Sequence, residues 1–480
     1  MKHVSTYKVR LGKDLPCRLQ PTLDPYKGAV IFFVDVILRE WDSFASLSHT
    51  NEADKVAESL CISTASRPET KYRFDEHYYK FPCYLRRSAI MKAHGLVSSY
   101  KSNLANWEKE PADKRGKKPS IPTVGDVFPA MYRDNCFVRT GTYTARIKVF
   151  VRNTWDWIDV TLRKCDVDYI TRHCSDRKEC VPTLSKRGKN WSLDFIFEKR
   201  VALTDKPASE RRILAVDLGI NNAAACCVMD PDGTVVARRF LSLRTENDCL
   251  GHALTIIRRA QRSGAKRMPA LWAKADGINR NIAERTASFI VTEARSHGCE
   301  TVVMEHLGLN GKKNGSKRQR LHMWKTKYAY RLVTDKCHLY GMRVSTVCAR
   351  NTSRLAFDGS GEVLRGKKSQ RTNGSWSLCE FKSGKVYNCD LNASYNIGAR
   401  YFIREILGSM PERARSEAEA KVPALLVRST CTLSDLKDLR AVAAGCAVAA
   451  AERVMSGKAR DSRAPQGQTG HAGDAGCPRL

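Results

Sequence analysis

No apolar run in the chain is long enough to cross a bilayer. Ala29–Leu38 is interrupted by Asp35, and Ala441–Ala451 is short and alanine-rich, whereas a spanning helix needs roughly 20 apolar residues. A membrane partner is therefore not expected. The phosphate-cradling Gly-x-x-x-x-Gly-Lys-Ser/Thr loop is also missing, which argues against an ATP-driven motor. The 18 cysteines do not read as a disulfide framework, because the chain is large, no secretory pattern opens the given sequence, and Cys226 and Cys227 sit side by side in an apolar run. A reducing cytoplasm is the expected setting. Negative charge is scarce as well: 50 Asp and Glu stand against 82 Lys and Arg, a formal net charge of +32. Solubility requires far less, so the expected partner is a polyanion.

The basic residues recur in blocks, Lys114–Lys118, Arg258–Arg267, Lys312–Arg320 and Arg365–Arg371. One such block is an ordinary solvated face. Four along a chain of 480 residues, long enough for about three domains, favour a long nucleic acid laid across several of them.

Periodicity divides the chain. Tyr7, Val9 and Leu11 alternate with polar and basic residues, as a short strand does. Val30, Phe33, Val34, Ile37, Trp41 and Phe44 then recur at helical spacing, as do Leu85, Ala89, Ala93, Val97, Tyr100, Leu104 and Trp107. Core packing is the plain reading of both stripes. After the charged connector Lys109–Pro122 the period becomes two, through Ala145, Ile147, Val149 and Val151 and on to Phe197. A strand, then helices, then strands suggests a β-barrel interrupted by a helical insert. Farther on, Leu254–Lys274 reads as a basic helix, and Ile282, Phe289, Ile290 and Ala294 mark another. Ser456–Leu480 has the composition of a disordered tail.

Three segments carry chemistry. In Arg211–Asn222 the β-prone run Ile213–Val216 ends on Asp217 and Gly219, and a second apolar run, Ala223–Val228, precedes a Pro-Asp-Gly turn at Pro231–Gly233. Thr301–Leu307 is again a strand ending on a carboxylate, Glu305. In Asn388–Gly398 a carboxylate, Asp390, opens a helix. Each has a bland alternative: Asp217 as a turn residue, Glu305 as a surface charge, Asp390 as the N-cap of a helix Leu391–Ile403.

Taken in order, the three segments resemble the split RuvC nuclease domain of the transposon-encoded TnpB proteins and of the compact type V CRISPR effectors descended from them. That resemblance implies an α+β multidomain fold. An N-terminal wedge β-barrel (1–26 and 134–205) would be interrupted by a helical recognition lobe (27–133). An RNase H-like (RuvC) nuclease domain (206–405) would follow, with a ribbon insert at about 341–389 and a partly helical tail over 406–480. It implies Asp217, Glu305 and Asp390 as catalytic carboxylates and metal ligands, whose spacings, 88 residues from the first to the second and 85 from the second to the third, suit a split domain. Two-metal phosphodiester hydrolysis needs carboxylates from separate elements around two Mg²⁺ ions, with no histidine required. Guide RNA and target DNA are the implied partners, with oligomeric state left open.

Lys312, Lys313, Lys317, Arg318, Arg320 and Asn392 are the candidate nucleic-acid contacts. Asn221 and Asn222 are weaker candidates that satisfy local backbone equally well, and His306 is expected on the opposite strand face from Glu305. The insert departs from the family. Relatives carry two Cys-x-x-Cys pairs there, the first shortly after a Thr-Ser; this chain keeps Thr352-Ser353 but has Ala356 and Gly359 in place of the first pair, and Cys379 with Lys382 in place of the second. A zinc site needs four ligands, so a zinc-free ribbon is expected, with Cys348, Cys379 and Cys389 left over and turns at Gly359, Gly361, Asn373-Gly374 and Ser383-Gly384. Two other functions remain open: RNA-guided DNA binding without cleavage, and a guide-free resolvase or transposase.

Overall fold

The computed structural model describes residues 1–12, 16–47, 50–307 and 323–444. They form two compact units, one spanning Lys2–Arg200 and one beginning at Val201.

In the first unit the chain's opening strand returns to its last. β1 (Lys2–Arg10) pairs antiparallel with β7 (Asn190–Arg200) from Lys2↔Arg200 to Arg10↔Ser192. β5 (Lys178–Glu179) and β6 (Thr183–Arg187) also pair with β7, while β2 (Phe137–Arg139), β3 (Thr144–Val151) and β4 (Thr154–Thr161) make a second sheet. Bridges Leu11↔Leu162 and Ala130↔Thr183 tie the two sheets together.

Between β1 and β2 lie α1 (Pro16–Arg39), α2 (Thr50–Cys61), the single turn α3 (Phe74–His77) and α4 (Cys83–Lys109). The apolar stripes are core, as their spacing suggests: Val30, Phe33, Ile37, Leu85, Ala89, Ala93 and Val97 are buried. A buried hydrogen bond from Tyr26 Oη to Ser88 Oγ, 2.8 Å, joins α1 to α4. Two features were not legible. α1 starts at Pro16 rather than near residue 27 because Pro21 and Pro25, breakers on paper, are carried within it. The β region also contains a helix, α5 (Lys164–Cys174), which buries Val167, Ile170 and Cys174.

The second unit is built on a five-stranded sheet ordered β10-β9-β8-β11-β12. β8 (Ile213–Asp217), β9 (Ala224–Met229) and β10 (Val235–Leu241) form an antiparallel meander. β11 (Thr301–His306) lies parallel to β8, and β12 (Arg343–Cys348) parallel to β11. The central strands are apolar on both faces because both faces are covered. Ile213, Ala215, Met229 and Val303 pack against α9 (Cys389–Ser409). On the other face Leu214, Val216, Val302 and Met304 meet residues of α7 (Pro269–Ser296) and α8 (Thr326–Leu339). The basic α6 (Arg244–Arg262) packs along α7 through Leu250, Leu254 and Ile257. Gly398 lets α9 lie close on the sheet, since a Cβ there would come within 2.9 Å of Met229 and 3.3 Å of Ala215.

After 406 the chain is partly helical, and part of it packs into the core. α10 (Glu412–Lys421) is followed by a helix over 433–444, whose first turn is capped by Thr432 and Asp435, the Thr432 amide donating to Asp435 Oδ2 at 2.7 Å. Leu425, Leu433, Leu436 and Leu439 are buried in the same core as α9. The expected disorder of Ser456–Leu480 falls outside the described residues. Between β12 and α9 sits a three-stranded ribbon, β13 (Leu364–Arg365), β14 (Leu378–Glu380) and β15 (Val386–Asn388). Its turns use left-handed backbone at Gly359, Gly361, Asn373, Gly374 and Gly384.

Candidate active site

Three elements deliver the three carboxylates. β8 and β11 run parallel with Val216 opposite Met304 as their last paired residues. Asp217 and Glu305 are the next residues on each, so they stand side by side at the carboxyl ends of neighbouring central strands. α9, packed over β8 and β9, brings Asp390 to the same end as its second residue. Asp390 does not cap this helix. Asn388 does: its side-chain oxygen accepts from the amides of Asp390 at 2.9 Å and Leu391 at 3.0 Å. The structural role that an aspartate would fill here is taken two residues earlier, and the Asp390 carboxylate is left free to face the other two.

The electrostatics is that of a crowded acid cluster. Burial pushes the Asp217 carboxyl well above the ordinary range; the nearby charges of Glu305 and Asp390 push it further, and Arg365 pulls it back. Glu305 is raised by burial, against which a hydrogen bond from Thr352 and the charge of Arg400 act. Buried carboxylates that repel one another are what a divalent cation relieves, and an all-oxygen donor set suits Mg²⁺ rather than a thiophilic ion. Among the described residues no three His, Cys, Asp or Glu side chains stand at ligand spacing.

Several neighbours act on the cluster that sequence reading ranked low or passed over. Asn222 Nδ2 donates to Asp390 Oδ2 at 2.8 Å. Thr352 Oγ1 donates to Glu305 Oε1, a role that the Thr-Ser pair, a landmark of the insert in sequence, does not announce. Arg365, on β13, turns inward from a basic block whose Lys367, Lys368 and Arg371 are exposed. Its Nε and Nη2 are buried with no hydrogen-bond partner, and its charge acts on Asp217. Arg400, within α9, donates to the carbonyls of Cys348, Arg350, Ser429 and Cys431 at 2.6–3.0 Å.

Asn392 corrects an expectation. It is fully buried, its Oδ1 accepts from Phe357 N at 2.9 Å and its Nδ2 donates to Leu355 O at 2.8 Å, so both ends of the amide pin the start of the ribbon and neither is available to nucleic acid. His306 is exposed, next to the half-buried Glu305. Lys312, Lys313, Lys317, Arg318 and Arg320 lie outside the described residues. In the ribbon, Ala356, Cys379, Phe381 and Cys389 form one apolar cluster. The two thiols there are hydrogen-bonded, which lowers Cys389 and raises Cys379. Cys348 and Lys382 are exposed.

A model of the Aq_aa04 family matches residues 5–151. An uncharacterised protein of Aquifex aeolicus, aq_aa04, is 33% identical over 134 residues, covering 26% of this chain and 75% of that protein. A TnpB-like protein of the same organism, aq_aa05, is 26% identical over 236 residues, covering 44% of this chain and 74% of that protein. Among solved structures, a Cas12f1–sgRNA–target DNA complex aligns with a TM-score of 0.47 at 16% identity, covering 80% of this chain and 82% of that one.

Proposed function

From a chain that belongs to the Aq_aa04 family and is TnpB-like, we propose an RNA-guided DNA endonuclease of the RuvC type. The observation that carries this reading is the meeting of Asp217, Glu305 and Asp390 at one end of the sheet, with the helix cap supplied by Asn388 instead of Asp390. On this reading the sheet of the second unit is the RNase H-like core, and the strands of the first unit are the wedge barrel around a helical recognition insert. Guide RNA pairs with the target, and the protein holds the duplex by its backbone.

Asp217, Glu305 and Asp390 would hold Mg²⁺. When bound, the two ions supply an activated water and stabilise the leaving oxygen of the phosphodiester. The protein's own share is orientation and charge. Arg365, whose Nε and Nη2 are buried, acts on the cluster through its charge, which favours the ionised form of Asp217. The ribbon holds it there without zinc, the Cys379–Cys389 pair serving as apolar packing.

The test is to purify the protein with its RNA, sequence that RNA, and assay cutting of matching DNA with Mg²⁺ and with EDTA. Metal-dependent cutting directed by one defined RNA species is the expected result. RNA that directs binding without cutting would replace the nuclease by a DNA-binding role, and metal-dependent cutting without RNA would point to a resolvase or transposase.

Salt gives a second expectation. Of the three described basic blocks, the charged residues of Lys114–Lys118 and Arg258–Arg267 are exposed, as are Lys367, Lys368 and Arg371 of the third, and roughly 6–10 phosphate contacts would lower affinity by about 10³–10⁵ between 50 and 200 mM salt. Filter binding across that range measures it. Affinity for the co-purified RNA that barely changes would remove the extended basic track, and an unchanged slope after neutralising Lys312, Lys313, Lys317, Arg318 and Arg320 would remove that block from it.

A further inference from the structure

We propose that Asn222 and Thr352 are positioning residues that each hold one oxygen of a metal-binding carboxylate, Asp390 and Glu305 respectively, leaving the opposite oxygen of each for the metal. The inference rests on the proposed metal site and concerns how it is oriented. Asn222 Nδ2 reaches Asp390 Oδ2 at 2.8 Å across 168 residues of sequence, and Thr352 Oγ1 reaches Glu305 Oε1 across 47. Each contact names one carboxylate oxygen, and each donor is neutral, so it orients the charge without cancelling it. An oxygen committed to a charge-assisted hydrogen bond is a poorer metal donor than its twin, and the free oxygen then sets which way the carboxylate points.

Both donors are themselves fixed. Asn222 lies at the end of the turn that leaves Asp217, and this turn closes so tightly that a Cβ on Gly219 would stand 2.6 Å from the Asn222 carbonyl oxygen. The segment that carries one carboxylate thus also orients another from a different element. Thr352 is 2% exposed; its carbonyl accepts from Asn396 Nδ2 of α9 at 2.9 Å, and its loop is held by Arg400 through Arg350 O at 2.6 Å. The Thr352 hydroxyl also lies 3.0 Å from Ala349 O. A hydroxyl has one proton, so Glu305 Oε1 and this carbonyl compete for it. Donors held from behind in this way determine a ligand's direction rather than follow it.

The experiment uses the purified ribonucleoprotein with Asn222→Ala, Thr352→Val and Thr352→Ser, and two readouts: Mn²⁺ affinity of the uncut complex by titration, and Mg²⁺ dependence of cutting. Loss of either donor is expected to weaken Mn²⁺ binding and raise the half-saturating Mg²⁺ by about 10–100-fold. Thr352→Ser, which keeps the hydroxyl, should stay close to the parent. Parent-like Mn²⁺ affinity in both Asn222→Ala and Thr352→Val would overturn the proposal, as would a Thr352→Ser variant as impaired as Thr352→Val, because the lost methyl packing would then be responsible. The serine comparison keeps the question decidable if the valine variant fails to fold. A parent protein that binds no Mn²⁺ would instead sink the metal site itself, and this inference with it.

Discussion

Asp217→Asn is expected to abolish cutting while leaving guide-dependent DNA binding in place, and to make the metal-free protein more stable than its parent at neutral pH. Glu305→Gln and Asp390→Asn should also end cutting, because each removes a metal ligand rather than a phosphate contact. The stability effect follows from linkage. Burial, and then two neighbouring carboxylates, raise Asp217 in the folded state well above the ordinary carboxylate value of about 3.9. Below that value the carboxyl is protonated whether the chain is folded or not, and it costs nothing. As pH rises above the ordinary carboxylate value the unfolded chain ionises first, so the folded state loses stability until its own raised value is passed. An asparagine carries no such penalty. Melting temperatures in EDTA should therefore diverge as pH rises from about 4 to 8, with the variant higher, and Mg²⁺ should stabilise only the parent. Cutting by the Asn variant would remove Asp217 from the site, and identical melting curves across that pH range would show that the carboxylate is not under repulsion.

Arg400→Leu is expected to bring the second unit close to unfolding. The Arg400 side chain is 6% exposed and meets four backbone carbonyls in two separate segments, Cys348 and Arg350 after β12, and Ser429 and Cys431 before the last described helix. A leucine leaves those carbonyls without their donor, at about 1–3 kcal/mol for each group that stays buried; the total approaches the whole stability of a typical domain, about 5–15 kcal/mol. Arg400→Lys should not rescue it, because one ammonium cannot span the positions a guanidinium fork reaches. Urea unfolding followed by tryptophan fluorescence, together with limited proteolysis of the 422–432 segment, measures the effect. An unchanged urea midpoint would show that water replaces the guanidinium at little cost, and that Arg400 does not hold Thr352's loop.

The strands carrying Asp217 and Glu305 were legible because each is an apolar run leading to a carboxylate, and the core stripes of α1 and α4 because burial repeats at the period of the helix. Boundaries were less so. Pro21 and Pro25 hid the start of α1, and alternation on either side hid α5. The segment after residue 406 reads as a partly helical tail, and only the fold shows that Leu425, Leu433 and Leu436 are buried in the same core as α9.

Local sequence determined which residues carry charge, which strands end on it, and where the turns of the ribbon fall, since period, glycine placement and side-chain chemistry act over a few residues. Tertiary structure decided what those groups do to one another. Asn388 caps α9 and so leaves Asp390 free, Asn222 turns to Asp390, Thr352 to Glu305, and Arg365 faces inward while Asn392 is consumed by the backbone. None of these could be read from spacing, because a hydrogen bond between residues 168 positions apart exists only once the sheet has brought their elements together, and whether a polar side chain serves the backbone or the site depends on which partner the fold places within reach.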